Sequence, residues 1–169
     1  MEAPATSKRK RPQLSLKGRA LRFLSRREHS RLELQRKLAP HAESPEELDK
    51  VLVELEAARL LSNQRFAESL VYRKAERFGS AVIRHELRSH ALEPALVERH
   101  VASLEQTELA RARALWERRF GEPPDSPQAR ARQIRFLMAR GFRGDVVRRV
   151  VGGRAEPDEP DLPDDLSDP

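Results

Sequence analysis

The chain has 169 residues, of which 36% are charged and 5% aromatic, which suits one ordinary domain or a few small repeats around a thin aliphatic core. The absence of cysteine excludes disulfides, thiolate chemistry and cysteine-ligated zinc. Of the 27 acids, seven lie in residues 156–169, so residues 1–155 carry 33 bases, 20 acids and a net charge of +13. A segment this basic is attracted to polyanions and to acidic protein surfaces.

The ends of the chain differ in composition from the part between them. Residues 1–15 contain two prolines and a run of four bases, which predicts a disordered basic arm, and residues 154–169 predict a disordered acidic tail. No apolar run approaches the ~18 residues of a membrane span, and the basic arm lacks the hydrophobic core of a secretory signal. We therefore expect a soluble cytoplasmic protein without a membrane partner.

The stretch from Ser25 to Leu38 combines a helix boundary with a dense cationic surface. Ser30 and Glu33 have capping-box spacing, in which the hydroxyl accepts from the Glu33 N–H and the carboxylate returns to the Ser30 N–H. Leu34 and Leu38 then lie one turn apart on one face of the next helix. The pattern predicts a helix end, a sharp corner and a new helix.

Helical periodicity on both sides of this corner predicts three repeats, each with three helices. Ser44 and Ser126 are each followed by proline, which predicts helix N-caps, and Gly79 predicts a helix break. Gly141 suits a left-handed C-terminal cap. We place the repeats at residues 16–61, 62–107 and 108–153.

An internal register supports this division. In each first helix an alanine is followed by apolar residues three and four positions later and by a base after seven. In each second helix a leucine is followed by a potentially cationic residue after three. The matching residues are Ala20, Ala67 and Ala112, and Leu34, Leu87 and Leu137. Because Ala, Leu, Arg and Glu dominate and alternating apolar runs are lacking, the predicted fold class is all-α.

No catalytic or metal-binding arrangement emerges from the sequence. The five histidines are scattered, without the HExxH spacing of a metal site, and neither a GxxxxGK[ST] nor a GxGxxG phosphate loop is present. We therefore predict that the protein is not an enzyme and needs no cofactor or metal.

Basic residues recur on the predicted helices of all three repeats, where they are placed to line one side of a curved array. Arginine supplies forked donors for carboxylates and phosphates, and the excess of bases over acids favours a binding surface over simple solvation. Few aromatic residues are interleaved with them, so sequence-specific base stacking is not indicated. The candidate contacts with a partner or DNA are Arg26, Arg27, Arg31, Lys37, Arg73, Lys74, Arg77, Arg84, Arg88, Arg140, Arg143, Arg148 and Arg149.

Motifs in all three repeats resemble the RecX family of bacterial regulators, over about residues 16–151. The matching segments are Arg27-Glu28-His29-Ser30-Arg31-x-Glu33-Leu34-x-x-Lys37-Leu38, Arg65-Phe66-Ala67, Arg77-Phe78-Gly79, Ile83-x-x-Glu86-Leu87 and Phe136-Leu137-x-x-Arg140-Gly141-Phe142. The chain departs from the family pattern where Ala91 replaces a usual glycine and where Ser62-Asn63-Gln64 replaces usual acids.

The resemblance implies an elongated, curved, cationic molecule of three tandem three-helix repeats. It also implies a negative regulator of RecA that binds in the groove of the RecA–single-stranded DNA filament, limits its extension and lowers its ATPase, strand-exchange and co-protease activities. The expected partners are this nucleoprotein filament and, weakly and without sequence specificity, single- and double-stranded DNA. We expect a monomer.

Two alternatives stay open. One is a generic basic helical module, similar to a helix-turn-helix protein, that acts on DNA directly. The other is a solenoid adaptor for other proteins. The spread of bases over all three repeats, without one recognition helix rich in Asn, Gln and Arg, favours the filament.

Overall fold

The computed structural model describes residues 14–152. These residues form eight α-helices and one short 3₁₀ turn, with no β-strand among them, so the all-α prediction is confirmed. The helices are α1 (Leu16–Leu24), α2 (Arg31–Leu38), α3 (Pro45–Ala57), α4 (Asn63–Lys74), α5 (Ser80–Ser89), α6 (Pro94–Arg119), α7 (Pro127–Met138) and α8 (Gly144–Val151). The 3₁₀ turn, Ala39–His41, follows α2. The acidic tail, and the basic arm apart from Leu14 and Ser15, lie outside the described residues.

The described residues divide into two compact units. The N-terminal unit comprises residues 14–70 and 87–97, and the C-terminal unit comprises residues 71–86 and 98–152. Helix α6 is continuous over 26 residues and passes through positions 107 and 108, where the sequence analysis sets a repeat boundary. The three repeat ranges stay predictions.

Helices α1 to α3 build the core of the N-terminal unit from aliphatic side chains. Each presents one apolar stripe to the other two, with Phe23, Leu24 and Ala42 packed against the buried set. Fully burying one such aliphatic side chain contributes about 1.5–3 kcal/mol. The buried members are Leu16, Ala20, Leu34, Leu38, Leu48, Val51, Leu52, Leu55 and Leu61.

A second apolar cluster forms the core of the C-terminal unit. Helix α8 contributes four valines at the i, i+1, i+4, i+5 spacing of one helix face, as the sequence predicts. The Trp116 ring packs on this cluster, and its indole N–H donates to Oε1 of the buried Gln133 at 2.8 Å. The buried members are Ala112, Leu137, Phe142, Val146, Val147, Val150 and Val151.

The internal register predicted from the sequence marks the most deeply buried positions. All six matching residues, the three alanines and the three leucines, have 0% exposure. The register extends to the backbone, because Ala91 and Gly141 each follow their leucine by four residues and both have positive φ, 52° and 78°. The glycine that the family pattern places at Ala91 would therefore suit this left-handed conformation.

The predicted helix caps are confirmed at Ser30, Ser44 and Ser126, whose hydroxyl oxygens accept from the N–H three residues later at 3.0 to 3.2 Å. The return bond predicted from Glu33 to the Ser30 N–H is wrong. The Glu33 carboxylate instead accepts hydrogen bonds from cationic side chains.

Gly79 and Gly141 lie against each other in the C-terminal unit. The Gly79 N–H donates to the Arg140 carbonyl at 2.8 Å, and the Ala81 N–H donates to the Gly141 carbonyl at 3.2 Å. A Cβ at position 79 would lie 2.2 Å from the Gly141 oxygen, so only glycine fits this backbone contact. Two of the segments that resemble the family thus meet at the start of α5.

Candidate cationic interface

The start of α2 is fixed by polar contacts within the N-terminal unit. The Ser30 hydroxyl caps Glu33 and also lies 2.9 Å from Nδ1 of His90, which packs on the Phe66 ring at 4.6 Å between centroids. The Arg31 N–H, one of the free donors of the first helical turn, donates to Oδ1 of Asn63 at 2.8 Å. These contacts anchor α2 to residues far along the chain.

The Glu33 carboxylate is the centre of a cationic cluster. Arg27 binds both carboxylate oxygens, one of them at 3.0 Å, and Lys37 Nζ lies 3.0 Å from Oε1. Burial alone would raise the pKa of Glu33, but the hydrogen bonds from Arg27 and Lys37 outweigh it and lower the pKa from 4.5 to about 2. Glu33 is therefore ionised at neutral pH.

His29 is a neutral member of this cluster. It is 2% exposed; its Nδ1 lies 2.9 Å from the Arg27 carbonyl and its Nε2 lies 3.0 Å from Lys37 Nζ. The carbonyl can only accept and the ammonium can only donate, so Nδ1 carries the proton and Nε2 accepts. Burial lowers the pKa of His29, which favours this neutral form.

Internal ion pairs neutralise much of the charge on the resembling motif. Arg31 binds Asp49 and, at 2.7 Å, Glu56, and Arg65 binds Glu28 at 2.8 Å. The sequence predicts a dense cationic surface over the stretch from Ser25 to Leu38. The structure shows that several of its cations hold helices together.

The C-terminal unit shows the same mixture of paired and unpaired bases. Lys74 binds Glu86, and Arg84 lies 3.4 Å from both Glu98 and Glu105. Ion pairs hold several of the predicted contact residues, among them Arg27, Arg31, Lys37, Lys74, Arg84 and Arg143. Their charge is less available to a partner than the sequence suggests.

The other predicted contact residues include the most available charges. Arg26, Arg77, Arg148 and Arg149 are exposed, and no carboxylate within residues 14–152 lies within 4.0 Å of them. Arg140 stacks on Phe136 at 3.7 Å from the ring centroid and stays half-buried. Arg73 and Arg88 are exposed.

Arg111 is a structural residue that the sequence analysis missed. Its guanidinium donates to the carbonyls of Ala75, Phe78 and Leu104 at 2.6 to 2.9 Å and closes the C-terminal end of α4 against α6. Burial lowers the pKa of Arg111, although the nearby charge of Glu108 acts to raise it. Only the fold brings these carbonyls together, so the sequence pattern carries no signal for this role.

Arg19 and Arg22 join the predicted Arg26 at a cavity of about 140 Å³ in the N-terminal unit. Arg19 and Arg22 lie three residues apart on one face of α1, and Arg26 follows two residues after the helix ends. His41 and two apolar side chains complete the lining.

The described residues contain no group of three or more His, Asp or Glu side chains arranged for a metal ion. None of the helices between Leu16 and Val151 combines the length and apolar composition that a bilayer span requires.

Comparison with known proteins identifies relatives over more than four-fifths of the chain. Family models described as RecX, first three-helix domain, and RecX, third three-helix domain, match residues 17–55 and 106–151. The chain is 54% identical to the regulatory protein RecX of Ralstonia pickettii over 86% of this chain and 92% of that protein. It is 56% identical to the regulatory protein RecX of Leptothrix cholodnii over 83% of this chain and 90% of that one.

The fold is also similar to a solved structure. The crystal structure of RecX from Lactobacillus salivarius superimposes with a TM-score of 0.68 at 19% identity, covering 81% of this chain and 92% of the other. At this level of identity the match shows a shared fold.

Proposed function

This chain belongs to the RecX family of regulatory proteins, and from that premise we propose that it is a negative regulator of RecA. It binds in the groove of the RecA–single-stranded DNA filament and limits filament extension, which lowers ATPase, strand-exchange and co-protease activities. It acts without catalysis, as a monomer in the cytoplasm. The observation that carries the proposal is the family membership over more than four-fifths of the chain.

The charges of the described residues support this proposal. A nucleoprotein filament presents DNA phosphates and acidic side chains along a groove, and Arg26, Arg77, Arg148 and Arg149 are exposed without a described carboxylate partner. Ion pairs between such groups are individually weak and are screened by salt, so binding should weaken as the salt concentration rises.

The test is the single-stranded-DNA-dependent ATPase of the cognate RecA, measured with substoichiometric protein. DNA binding by the protein alone is measured in parallel at two salt concentrations. The proposal predicts that ATPase falls at concentrations too low to coat the DNA. Inhibition only after the DNA is saturated contradicts it and supports the alternative, a basic module that binds DNA directly.

A pair of matched variants refines the interface. Arg148→Ala with Arg149→Ala removes two exposed charges from α8, and Arg132→Ala with Arg135→Ala removes two exposed charges from α7. Both pairs change the net charge equally. We propose that the α8 pair weakens inhibition more than the α7 pair does, and equal effects would count against a contact through α8.

A further inference from the structure

The cavity on α1 is a small, strongly cationic concavity. It has a volume of about 140 Å³ and is lined by Leu14, Arg19, Arg22, Phe23, Arg26 and His41. All six residues belong to the N-terminal unit, so the cavity is formed within one compact body.

The charges of this cavity have no internal counter-ion among the described residues. No lining side chain is a carboxylate, and no ion pair within residues 14–152 involves Arg19, Arg22 or Arg26. Neighbouring arginines behave differently, since Arg27 and Arg31 are bound by Glu33, Asp49 and Glu56. Like charges around one concavity repel one another, and an anion bound there relieves this repulsion.

The size of the cavity decides what kind of anion fits. Pockets for drug-sized ligands have volumes of about 300–1,000 Å³, so a cavity of about 140 Å³ accepts a single small group. Guanidinium groups bind phosphate oxygens through paired N–H donors. The side chains of Leu14 and Phe23 form an apolar edge that suits the sugar next to a backbone phosphate.

We propose that this cavity binds one backbone phosphate of single-stranded DNA through Arg19, Arg22 and Arg26. The inference goes beyond the proposed function by giving the protein its own DNA contact, formed by α1 and the turn that follows it. It rests on that function only for the source of the phosphate.

The test compares two matched double variants in binding to a fluorescent oligothymidylate, followed by anisotropy over a series of salt concentrations without RecA. One is Arg22→Ala with Arg26→Ala, and the control is Arg36→Ala with Arg59→Ala, which removes two exposed arginines of the same unit outside the cavity. The cavity pair should bind about tenfold more weakly than the control pair at low salt. Its salt slope should be shallower by about 0.7, the value for one lost phosphate contact on a single strand.

Equal affinities and equal salt slopes for the two pairs overturn the inference. A chain truncated before residue 156 tests the alternative that the acidic tail supplies the anion. If the cavity pair binds DNA more weakly than the control pair in the full chain but equally well in the truncated chain, the cavity serves the tail and the inference is wrong.

The RecA ATPase separates this inference from the proposed function. If the cavity pair loses DNA affinity while the unmutated protein leaves the ATPase unchanged, the DNA contact stands and the regulatory role fails. If the cavity pair keeps its DNA affinity but loses inhibition, the cavity contacts protein and the phosphate assignment is overturned.

Discussion

Helices α2 and α5 are the second helices of the first two predicted repeats, but the chain starts them in different ways. Helix α2 is preceded by its N-cap Ser30, whose hydroxyl oxygen accepts from the N–H of Glu33, three positions along the chain, at 3.0 Å. Helix α5 starts at Ser80, whose N–H and hydroxyl both donate to the carboxylate of Glu108, 28 residues away, at 3.0 to 3.1 Å. One start is mainly local, and the other depends on the tertiary structure.

This difference also appears in burial. The Glu33 side chain beside α2 is 17% exposed, whereas Glu108 beside α5 is 0% exposed. A buried carboxylate is tolerated when its hydrogen bonds are made, and the N-terminus of a helix stabilises its charge. A single substitution at the start of α5 should therefore lower the free energy of unfolding more than one at the start of α2.

Gly79→Ala should have the largest effect. The added Cβ would meet the Gly141 carbonyl at 2.2 Å, and backbone atoms must move to make room, which should cost at least ~3 kcal/mol of the free energy of unfolding. Urea denaturation followed by Trp116 fluorescence reports on this unit. Gly144→Ala is the control, because its Cβ would have only an ordinary contact at 3.5 Å and should leave stability nearly unchanged.

Glu108→Gln should come next, at about 3 kcal/mol. The amide keeps one acceptor oxygen, but the NH2 group that replaces the other carboxylate oxygen cannot accept from the Ser80 hydroxyl. A buried polar group is then left unpaired. The same urea denaturation measures the loss. Glu105→Gln, whose partner Arg84 lies at 3.4 Å on a partly exposed face, should cost less than about 1 kcal/mol, and an equal loss for the two variants would refute the argument from burial.

Acid should destabilise the start of α2 in two stages. Burial lowers the pKa of His29 in the folded protein, so the unfolded chain takes up a proton first and stability falls as the pH drops below 6.5. The pKa of Glu33 is about 2 in the folded protein, against 4.5 in the unfolded chain. Its contribution to the free energy of unfolding is therefore complete above pH 4.5 and is lost towards pH 2.

Glu33→Gln isolates the second stage. It should cost about 1–2 kcal/mol at pH 7 and flatten the dependence of the free energy of unfolding on pH between 4.5 and 2. Urea denaturation followed by circular dichroism at several pH values measures both effects. An unchanged slope in that range would show that Glu33 does not carry the acid sensitivity.

Ala91→Gly should have the smallest effect and the opposite sign. Ala91 has φ of 52°, a left-handed conformation that costs an L-residue about 1–2 kcal/mol, while glycine loses more chain entropy on folding. The net gain should be about 0.5–1 kcal/mol in thermal or urea denaturation. Ala102→Gly, at an exposed position inside α6, should instead lose about 1 kcal/mol, and a loss at both sites would contradict the assigned strain.

The site was less predictable than the fold. Stripe positions such as Leu52 and Val147 are buried as their spacing predicts, because the helical period alone decides which side chains share a face. The charge pattern, in contrast, predicts the same role for Arg27 and Arg149, as contacts with a partner or DNA. Only the fold shows that Arg27 is held by Glu33 while Arg149 is exposed.

The amino-acid sequence by itself determined the helical class, the register of the fully buried alanines and leucines, and the local caps such as Ser30, because these depend on residues within one or two turns. The tertiary structure alone decided that Gly79 meets Gly141, that Glu108 holds the start of α5, and that Arg19, Arg22 and Arg26 share a cavity with His41. These features join residues separated by more than a helical turn, and their energies exist only once packing has brought the partners together.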